Sequence, residues 1–236
     1  MGDIIPAIMP DSYDDLVSKA ARVRGLVPLA QIDIMDGTFV HSKSWPYGAG
    51  GIRADKHFAA LSAQDEGMPY WGELDYEIDL MIAEPEKHID EWLPLGASRL
   101  IFHIEAIKDH DAFWGNDIFK EGARDVGGEK VVEVGIAISP DTLLEELLPY
   151  IPRIEFVQCM GIAKIGYQGE PFDERVLEQV NQLRVKHPNL TISVDGGVNL
   201  ETAPLLKAAG ANRLVAGSAV FGASDIAMAI RELKNA

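Results

Sequence analysis

The chain has 236 residues with 21 basic and 37 acidic side chains, a formal net charge of −16, and 47% hydrophobic residues. This composition is typical of a globular protein, and its negative field disfavours binding to nucleic-acid phosphates and anionic membranes, so neither is an expected partner. The N-terminus lacks a signal-peptide pattern and no window reaches about 18 apolar residues, so we expect a cytoplasmic location. The single cysteine, Cys159, excludes an internal disulfide and a multi-cysteine zinc site.

Short apolar runs alternate with amphipathic segments along the chain, a pattern typical of parallel βαβ units. Predicted strands cover residues 4–9, 29–34, 74–81, 99–104, 131–138, 154–160, 190–194 and 213–216. Predicted helices cover residues 12–23, 85–93, 140–148, 173–186, 200–209 and 224–234. At about 30 residues per unit, the pattern predicts a single (β/α)8 TIM barrel over residues 1–236. A doubly wound sheet is the alternative, but no G-x-G-x-x-G motif follows the first strand.

Two segments interrupt this alternation. Residues 38–72 form a long insertion after the second strand, with a loop around Trp45 and a short amphipathic piece at residues 57–61. Loops of this length are usually functional or mobile, and the insertion is expected to cover either a subunit interface or the mouth of the barrel. Residues 110–130 are predicted to form an irregular helix with turns.

The second and third predicted strands end in carboxylates. Strand alternation places Gln31 and Asp33 on one face, which points into a barrel, and a charge there requires a partner or a metal ion. Asp36 is predicted to cap the turn before Gly37. Asp79 continues the odd-numbered face of the third strand, for which a solvated polar face is the alternative.

Two glycine-containing loops predict a phosphate site. Asp195 ends the seventh strand, and Gly196 and Gly197 then free the backbone to turn N–H groups toward an anion, before a helix predicted to begin near residue 199. Gly217 and Ser218 follow the eighth strand. Loops after strands seven and eight hold phosphate in many barrels.

Residues 160–172, after the sixth strand, are predicted to form a mobile lid whose glycines let the backbone approach a ligand. Lys164 would supply a positive charge there, with a plain surface loop as the alternative.

Residues 31–39, 79–85, 103–106, 160–172, 194–199 and 216–222 together resemble the ribulose-phosphate 3-epimerase family. The resemblance implies a barrel of ribulose-phosphate-binding type that epimerises C3 of a ketopentose 5-phosphate, converting ribulose 5-phosphate to xylulose 5-phosphate. It implies that Asp33 and Asp195 act on opposite faces of the substrate. It also implies a divalent metal ion, held by these aspartates and two histidines, that stabilises the enediolate.

The resemblance further implies a set of substrate-binding residues. Methionines form a layer of thioethers around the enediolate, with core filling as the alternative, and glycine loops bind the phosphate. These residues are Met9, Met35, Met81 and Met160, then Gly166, Gly169, Gly196, Gly197, Gly217 and Ser218.

The chain departs from the family where the metal ligands lie. Gln31 and Asp79 occupy the positions of the two histidines. Asp33, Asp79, Asp195 and Gln31 form an all-oxygen set, which suits Mg²⁺ or Mn²⁺ better than Zn²⁺. Without a cation the carboxylates could not all stay ionised, so metal-free or lost chemistry is the alternative. Ala7 replaces a serine that contacts substrate.

Two other functions stay open. One is a sugar-phosphate lyase or aldolase, against which the Asp-x-Lys-x-x-Asp arrangement is absent after Asp33. The other is an altered barrel that binds a sugar phosphate without turnover. Each takes a small phosphorylated sugar, and a homo-oligomer is compatible with the resemblance. His103 is predicted to be a satisfied core histidine, with partial compensation for the missing imidazoles as the alternative.

Overall fold

Parallel strands form a closed barrel in chain order, and the last strand pairs back to the first. The computed structural model describes residues 2–48, 51–119 and 132–236. The strands are β1 (Asp3–Ile8), β2 (Leu29–Met35), β3 (Asp75–Met81), β4 (Arg99–His103), β5 (Glu133–Ile138), β6 (Phe156–Met160), β7 (Thr191–Asp195) and β8 (Arg213–Ala216). The closed barrel confirms the predicted TIM fold.

Helices surround the barrel and cover the outward face of the strands. They are α1 (Tyr13–Val23), α2 (Lys56–Ser62), α3 (Ile89–Trp92), α4 (His110–Gly115), α5 (Leu144–Leu147), α6 (Arg175–Lys186), α7 (Ala203–Ala209), α8 (Ser218–Phe221) and α9 (Ile226–Asn235). Every residue of β2 is buried, because one face packs on helices and the other fills the barrel. Within the described residues, no helix combines the length and apolar character needed to cross a bilayer.

Two predicted helices are much shorter than expected. The segment predicted at residues 85–93 consists of a 3-10 turn, Pro85–Lys87, and the four residues of α3, and a second 3-10 turn, Leu93–Leu95, follows it. The segment predicted at residues 140–148 contains only α5 before the 3-10 helix Leu148–Arg153. Prolines in these segments lack the N–H that continues an α-helix, so the chain tightens into 3-10 turns.

The insertion after β2 folds onto the barrel. It contains a 3-10 turn, Ile52–Ala54, and α2. Trp45 is 3% exposed and packs against Tyr13 and Phe58, with ring centroids 5.5 and 6.3 Å apart. Its role is therefore core packing, while Trp71, at 73% exposure, lies on the surface.

The segment predicted to be an irregular helix with turns is only partly described. It begins with α4 and a 3-10 turn, Asp117–Phe119, which agrees with the prediction. Residues 120–130 lie outside the described residues, as does residue 131 of the fifth predicted strand.

Charged side chains fill the barrel near the N-terminal ends of its strands. Arg213 is hydrogen-bonded to Glu77 and lies over the ring of Phe156, 4.6 Å from its centroid. Arg99 lies 3.8 Å from Glu77 and donates to Glu133 at 2.5 Å. This cluster closes the end of the barrel opposite the glycine loops.

Candidate active site

The strand register brings the predicted acidic residues together. Asp33 pairs with Asp79 across β2 and β3, and Asp195 pairs with Met160 across β7 and β6. One carboxylate oxygen from each of Asp33, Asp79 and Asp195 lies within 4.8 Å of the other two. Asp79 is fully buried, Asp33 is 6% exposed, and Asp195 is partly accessible. The alternative of a solvated face for Asp79 is therefore wrong.

Two glutamine amides join these carboxylates. Gln31 Nε2 donates to Asp33 Oδ1 at 2.8 Å and to Asp195 Oδ2 at 2.7 Å. Gln158 Nε2 donates to Asp79 Oδ2 at 3.2 Å and more weakly to Asp195 Oδ2 at 3.4 Å. Both glutamines are fully buried, and the Oε1 atom of each has no hydrogen-bond partner among the described residues.

Gln158 is the functional candidate that the sequence analysis missed. It lies in a run that reads as an apolar strand, and all of β6 is buried. Strand alternation places it on the face of Met160, which points into the barrel. The sequence feature that could have indicated a role for Gln158 is a single amide side chain predicted to point into the barrel, where a polar group without a partner is energetically costly.

His103 lies at the end of β4 and extends the same network. Its Nε2 lies 3.0 Å from Asp79 Oδ1, and its ring is fully buried. Its Nδ1 makes no hydrogen bond within the described part of the chain and lies 4.0 Å from Glu105 Oε2. The prediction of a satisfied core histidine is thus corrected: one ring nitrogen lacks a hydrogen bond there, and the other contacts a carboxylate of the acidic centre.

Burial and mutual repulsion shift the protonation of this centre. Burial, followed by repulsion from Asp79, raises the pKa of Asp33 to about 7. Burial and repulsion from Asp33 raise the pKa of Asp195 well above its usual range. Burial lowers the pKa of His103, but attraction to Asp79 and the hydrogen bond with it outweigh this effect, so the net shift is upward. The centre therefore retains protons near neutral pH when no cation is bound.

A cleft opens above Asp33 and Asp195 at the C-terminal end of the barrel. Of the other predicted site residues, those that line it are Met9, Met81, Met160, Gly166, Gly169, Gly196, Gly197, Gly217 and Ser218. Gln31, Asp79 and Met35 are fully buried beneath it. Met35 packs with Met81 and Val40, so the structure places it in the supporting layer.

The loops at the cleft rim have the backbone that the glycines predict. Gly196 and Gly197 have φ values of 97° and 67°, which side-chain-bearing residues rarely adopt. The regular helix of the following segment begins at Ala203, but Asn199 caps a turn near the predicted start: its Oδ1 accepts the N–H groups of Glu201 and Thr202, and its carbonyl accepts the N–H of Ala203.

The lid is fastened to the end of β7. Gly161 N donates to the carbonyl of Asp195 at 2.6 Å, and Asp173 N donates to the carbonyl of Gly161 at 2.8 Å. Lys164 is exposed and does not line the cleft, whereas Gln168 and Glu170 do. Lys164 therefore does not supply a positive charge to the cleft, and the alternative of a plain surface position describes it.

Asp36 has the capping role that the sequence predicted. Its Oδ1 accepts the N–H groups of Thr38 and Phe39, at 2.7 and 3.0 Å. Its Oδ2 accepts the N–H of Ala83 at 2.9 Å, which joins the loops after β2 and β3.

The donor chemistry of the centre fits a hard divalent cation. Three carboxylates supply oxygen ligands, and two buried amide oxygens lack partners among the described residues. Gln31 Nε2 donates to two of the carboxylates, so Gln31 would bind an ion through Oε1 after a half-turn of its amide.

Together, the fold and this acidic cleft define a class of TIM-barrel proteins with their chemistry at the C-terminal ends of the strands. Solved structures share the fold. A 3-keto-L-gulonate-6-phosphate decarboxylase from Vibrio cholerae has a TM-score of 0.62 at 19% identity, covering 100% of this chain and 97% of that chain. A 3-hexulose-6-phosphate synthase has a TM-score of 0.59 at 20% identity, covering 99% and 97%.

The sequence comparisons identify the family. Residues 3–221 match the model of the ribulose-phosphate 3-epimerase family. A ribulose-phosphate 3-epimerase of Schizosaccharomyces pombe is 35% identical over 98% of this chain and 92% of its own length. One of Bacillus subtilis is 30% identical over 98% and 97%. The chain belongs to the ribulose-phosphate 3-epimerase family.

Proposed function

We propose that this protein is an isomerase that interconverts ribulose 5-phosphate and xylulose 5-phosphate by proton transfer at C3. The observation that carries the proposal is the position of Asp33 and Asp195, whose carboxylates share one cleft with the glycine loops at its rim. Family membership and relatives named ribulose-phosphate 3-epimerase support it.

Different parts of the cleft would bind the phosphate and the sugar of the substrate. Backbone N–H groups around Gly196, Gly197 and Gly217 would bind the phosphate, since consecutive amides in glycine turns attract an anion. The sugar would then extend toward the aspartates, with Met81 and Met160 contacting it. Apolar thioethers exclude water around the reacting carbon.

Proton transfer requires the two aspartates in opposite protonation states. Asp33 as a carboxylate would take the C3 proton, leaving an enediolate, and Asp195 as a carboxylic acid would return a proton to the opposite face of C3. The reverse reaction exchanges these roles. In the ion-free centre, burial and mutual repulsion raise the pKa values of both groups, whereas a bound divalent cation would act in the opposite direction by favouring the ionised carboxylates.

Asp33, Asp79, Asp195 and Gln31 would hold a divalent ion, with Mg²⁺ or Mn²⁺ favoured over Zn²⁺ by the oxygen ligands. Such an ion would supply positive charge that stabilises the negative oxygens of the enediolate. His103 would keep Asp79 oriented through its hydrogen bond.

The proposal also includes a cellular location and an oligomeric state. A cytoplasmic location is supported by the acidic composition and by the relative named as the cytoplasmic isoform in Oryza sativa subsp. japonica. The homo-oligomer stays a prediction.

NMR in D2O tests the reaction directly. Ribulose 5-phosphate is incubated with protein stripped of metal, and then with Mg²⁺, Mn²⁺ or Zn²⁺. We expect deuterium at C3 and signals of xylulose 5-phosphate with the wild-type protein. The exchange rate should fall by a factor of about 100 or more in Asp33→Asn and in Asp195→Asn. Asp14→Asn, an exposed carboxylate on α1, is the matched control and should behave as wild type. If ribulose 5-phosphate raises the melting temperature but no C3 exchange occurs with any ion, the protein is a binding protein and the proposal is wrong.

A further inference from the structure

The buried amide of Gln158 bridges two of the three carboxylates from a strand that carries none of the predicted metal ligands. Gln158 comes from β6, Asp79 from β3 and Asp195 from β7. With Gln31 and His103, the bonds form a continuous path from Asp33 through Asp195 and Gln158 to Asp79 and on to His103. Since Gln158 is fully buried, this position requires an explanation.

We propose that Gln158 is an additional oxygen ligand of the divalent-ion site, binding the ion through Oε1. This inference rests on the proposed function only in its requirement for an ion at Asp33, Asp79 and Asp195. It adds a fifth protein ligand to the four given above.

The unpaired oxygen supports this assignment. Gln158 Oε1 is buried and makes no hydrogen bond to any described residue, which is costly for an amide oxygen inside a protein. The two ends of an amide are nearly equal in shape, so a half-turn about the last side-chain bond exchanges Oε1 and Nε2. Oε1 would then occupy the place from which Nε2 now faces Asp79 and Asp195, at 3.2 and 3.4 Å.

If Gln158 only donates hydrogen bonds to the carboxylates, the expected effect of its removal on ion affinity is the opposite. If Gln158 keeps Nε2 toward the carboxylates, its N–H groups compete with the cation for the same oxygen lone pairs. Removal of the amide would then leave ion affinity unchanged or raise it. If Oε1 is a ligand, removal lowers ion affinity. The direction of the change therefore separates the two roles.

Isothermal titration of Mg²⁺ and Mn²⁺ into metal-stripped protein measures this change without any enzyme assay. Gln158→Met keeps the length of the side chain but removes the oxygen, and Gln158→Glu keeps an oxygen ligand. The matched control is Gln179→Met on α6, because Gln179 Nε2 donates at 2.9 and 3.3 Å to the carbonyls of Ser139 and Thr142, away from the centre.

We expect Gln158→Met to weaken Mg²⁺ binding about 10-fold or more, Gln158→Glu to bind at least as tightly as wild type, and Gln179→Met to show no change. Unchanged or tighter binding in Gln158→Met overturns the inference and leaves the proposed reaction standing. No ion binding by wild type overturns the inference and the ion of the proposed function together, whereas the C3 exchange assay tests the aspartates separately.

A second measurement serves if Gln158→Met does not fold. The side-chain NH2 signals of Gln158 in wild-type protein, assigned by their loss in Gln158→Glu, are followed by NMR during Mg²⁺ addition. Rotation of the amide away from the carboxylates should shift these signals strongly, while those of Gln179 stay in place. Signals of Gln158 that do not move at saturating Mg²⁺ contradict the inference.

Discussion

At the scale of single residues, the centre contains three clustered carboxylates, whose partners are two neutral amides and one imidazole. An amide donates hydrogen bonds to a carboxylate but cannot cancel its charge, so Gln31 and Gln158 leave the repulsion between Asp33 and Asp195 in place. The balance must come from protons, from His103 or from a cation. Asp79 therefore adds a third carboxylate to the pair formed by Asp33 and Asp195.

The contact of His103 with Asp79 gives a prediction about stability. His103→Leu would remove one of the two side-chain donors on Asp79 and leave that buried carboxylate poorly paired. We expect a loss of about 2–3 kcal/mol in the free energy of unfolding, measured by urea denaturation in EDTA. His103→Gln, which can still donate, should recover part of the loss.

His41 is the control, because it is exposed on the insertion. His41→Leu should change the free energy of unfolding by no more than about 0.5 kcal/mol. If His103→Leu is as stable as wild type, the bond to Asp79 contributes nothing to folding.

At the scale of elements, the strands were easier to predict from the sequence than the helices. Parallel strands buried on both faces leave continuous apolar runs, and β8 has the predicted bounds. Helix length also depends on local hydrogen bonding and on prolines, which the pattern of hydrophobic residues does not reveal. Prolines shorten the segment around α5, for example.

The same distinction applies to the site. Asp33 and Asp195 stand out as charges at the ends of apolar strands, so alternation alone predicts where they lie. The contact of His103 with Asp79 depends on the register of two neighbouring strands, and that of Gln158 with Asp79 depends on which strands face each other across the barrel. Register and closure are long-range properties, and no local pattern near Gln158 indicates that it contacts Asp79.

The base of the lid gives a prediction at the element scale. A Cβ at Gly161 would overlap the carbonyl oxygen of Gly196, a backbone atom that cannot rotate away. Gly161→Ala should therefore displace the loop after β7 and distort the phosphate site. We expect a loss of about 1–3 kcal/mol in stability and an approximately 10-fold weaker Kd for ribulose 5-phosphate by calorimetry.

Gly72→Ala is the matched control, because no atom lies within 4 Å of a Cβ built there. It should leave both quantities near wild type. Wild-type affinity and stability in Gly161→Ala would show that the lid and the loop after β7 move independently.

At the scale of the whole molecule, charge is unevenly distributed. The chain carries a net charge of −16, yet the N-terminal end of the barrel holds Arg99 and Arg213 paired with Glu77 and Glu133. The C-terminal end holds three neighbouring carboxylates, one of which contacts His103. Cations are therefore attracted to the end where the cleft opens, and an anionic substrate needs the local amides of the loops.

This distribution predicts how stability depends on pH in ion-free protein. Asp33 has a raised pKa of about 7 in the folded state, so its contribution to stability is complete below about pH 4 and is lost as pH rises to about 7, over the range in which the unfolded chain has released this proton and the folded chain still holds it. The raised pKa values of Asp195 and His103 act in the same direction. In EDTA, the melting temperature should fall by about 5 °C or more between pH 5 and pH 8.

Millimolar Mg²⁺ should reverse this trend, because the cation binds ionised carboxylates and stabilises the folded state more as pH rises. Thermal unfolding of wild type and Asp33→Asn, with EDTA or Mg²⁺ at both pH values, measures the effect. Asp33→Asn removes one titrating group and one ligand, so both the fall in EDTA and the gain from Mg²⁺ should shrink. A wild-type melting temperature that is the same at both pH values in EDTA would mean that the clustered carboxylates do not control folding stability.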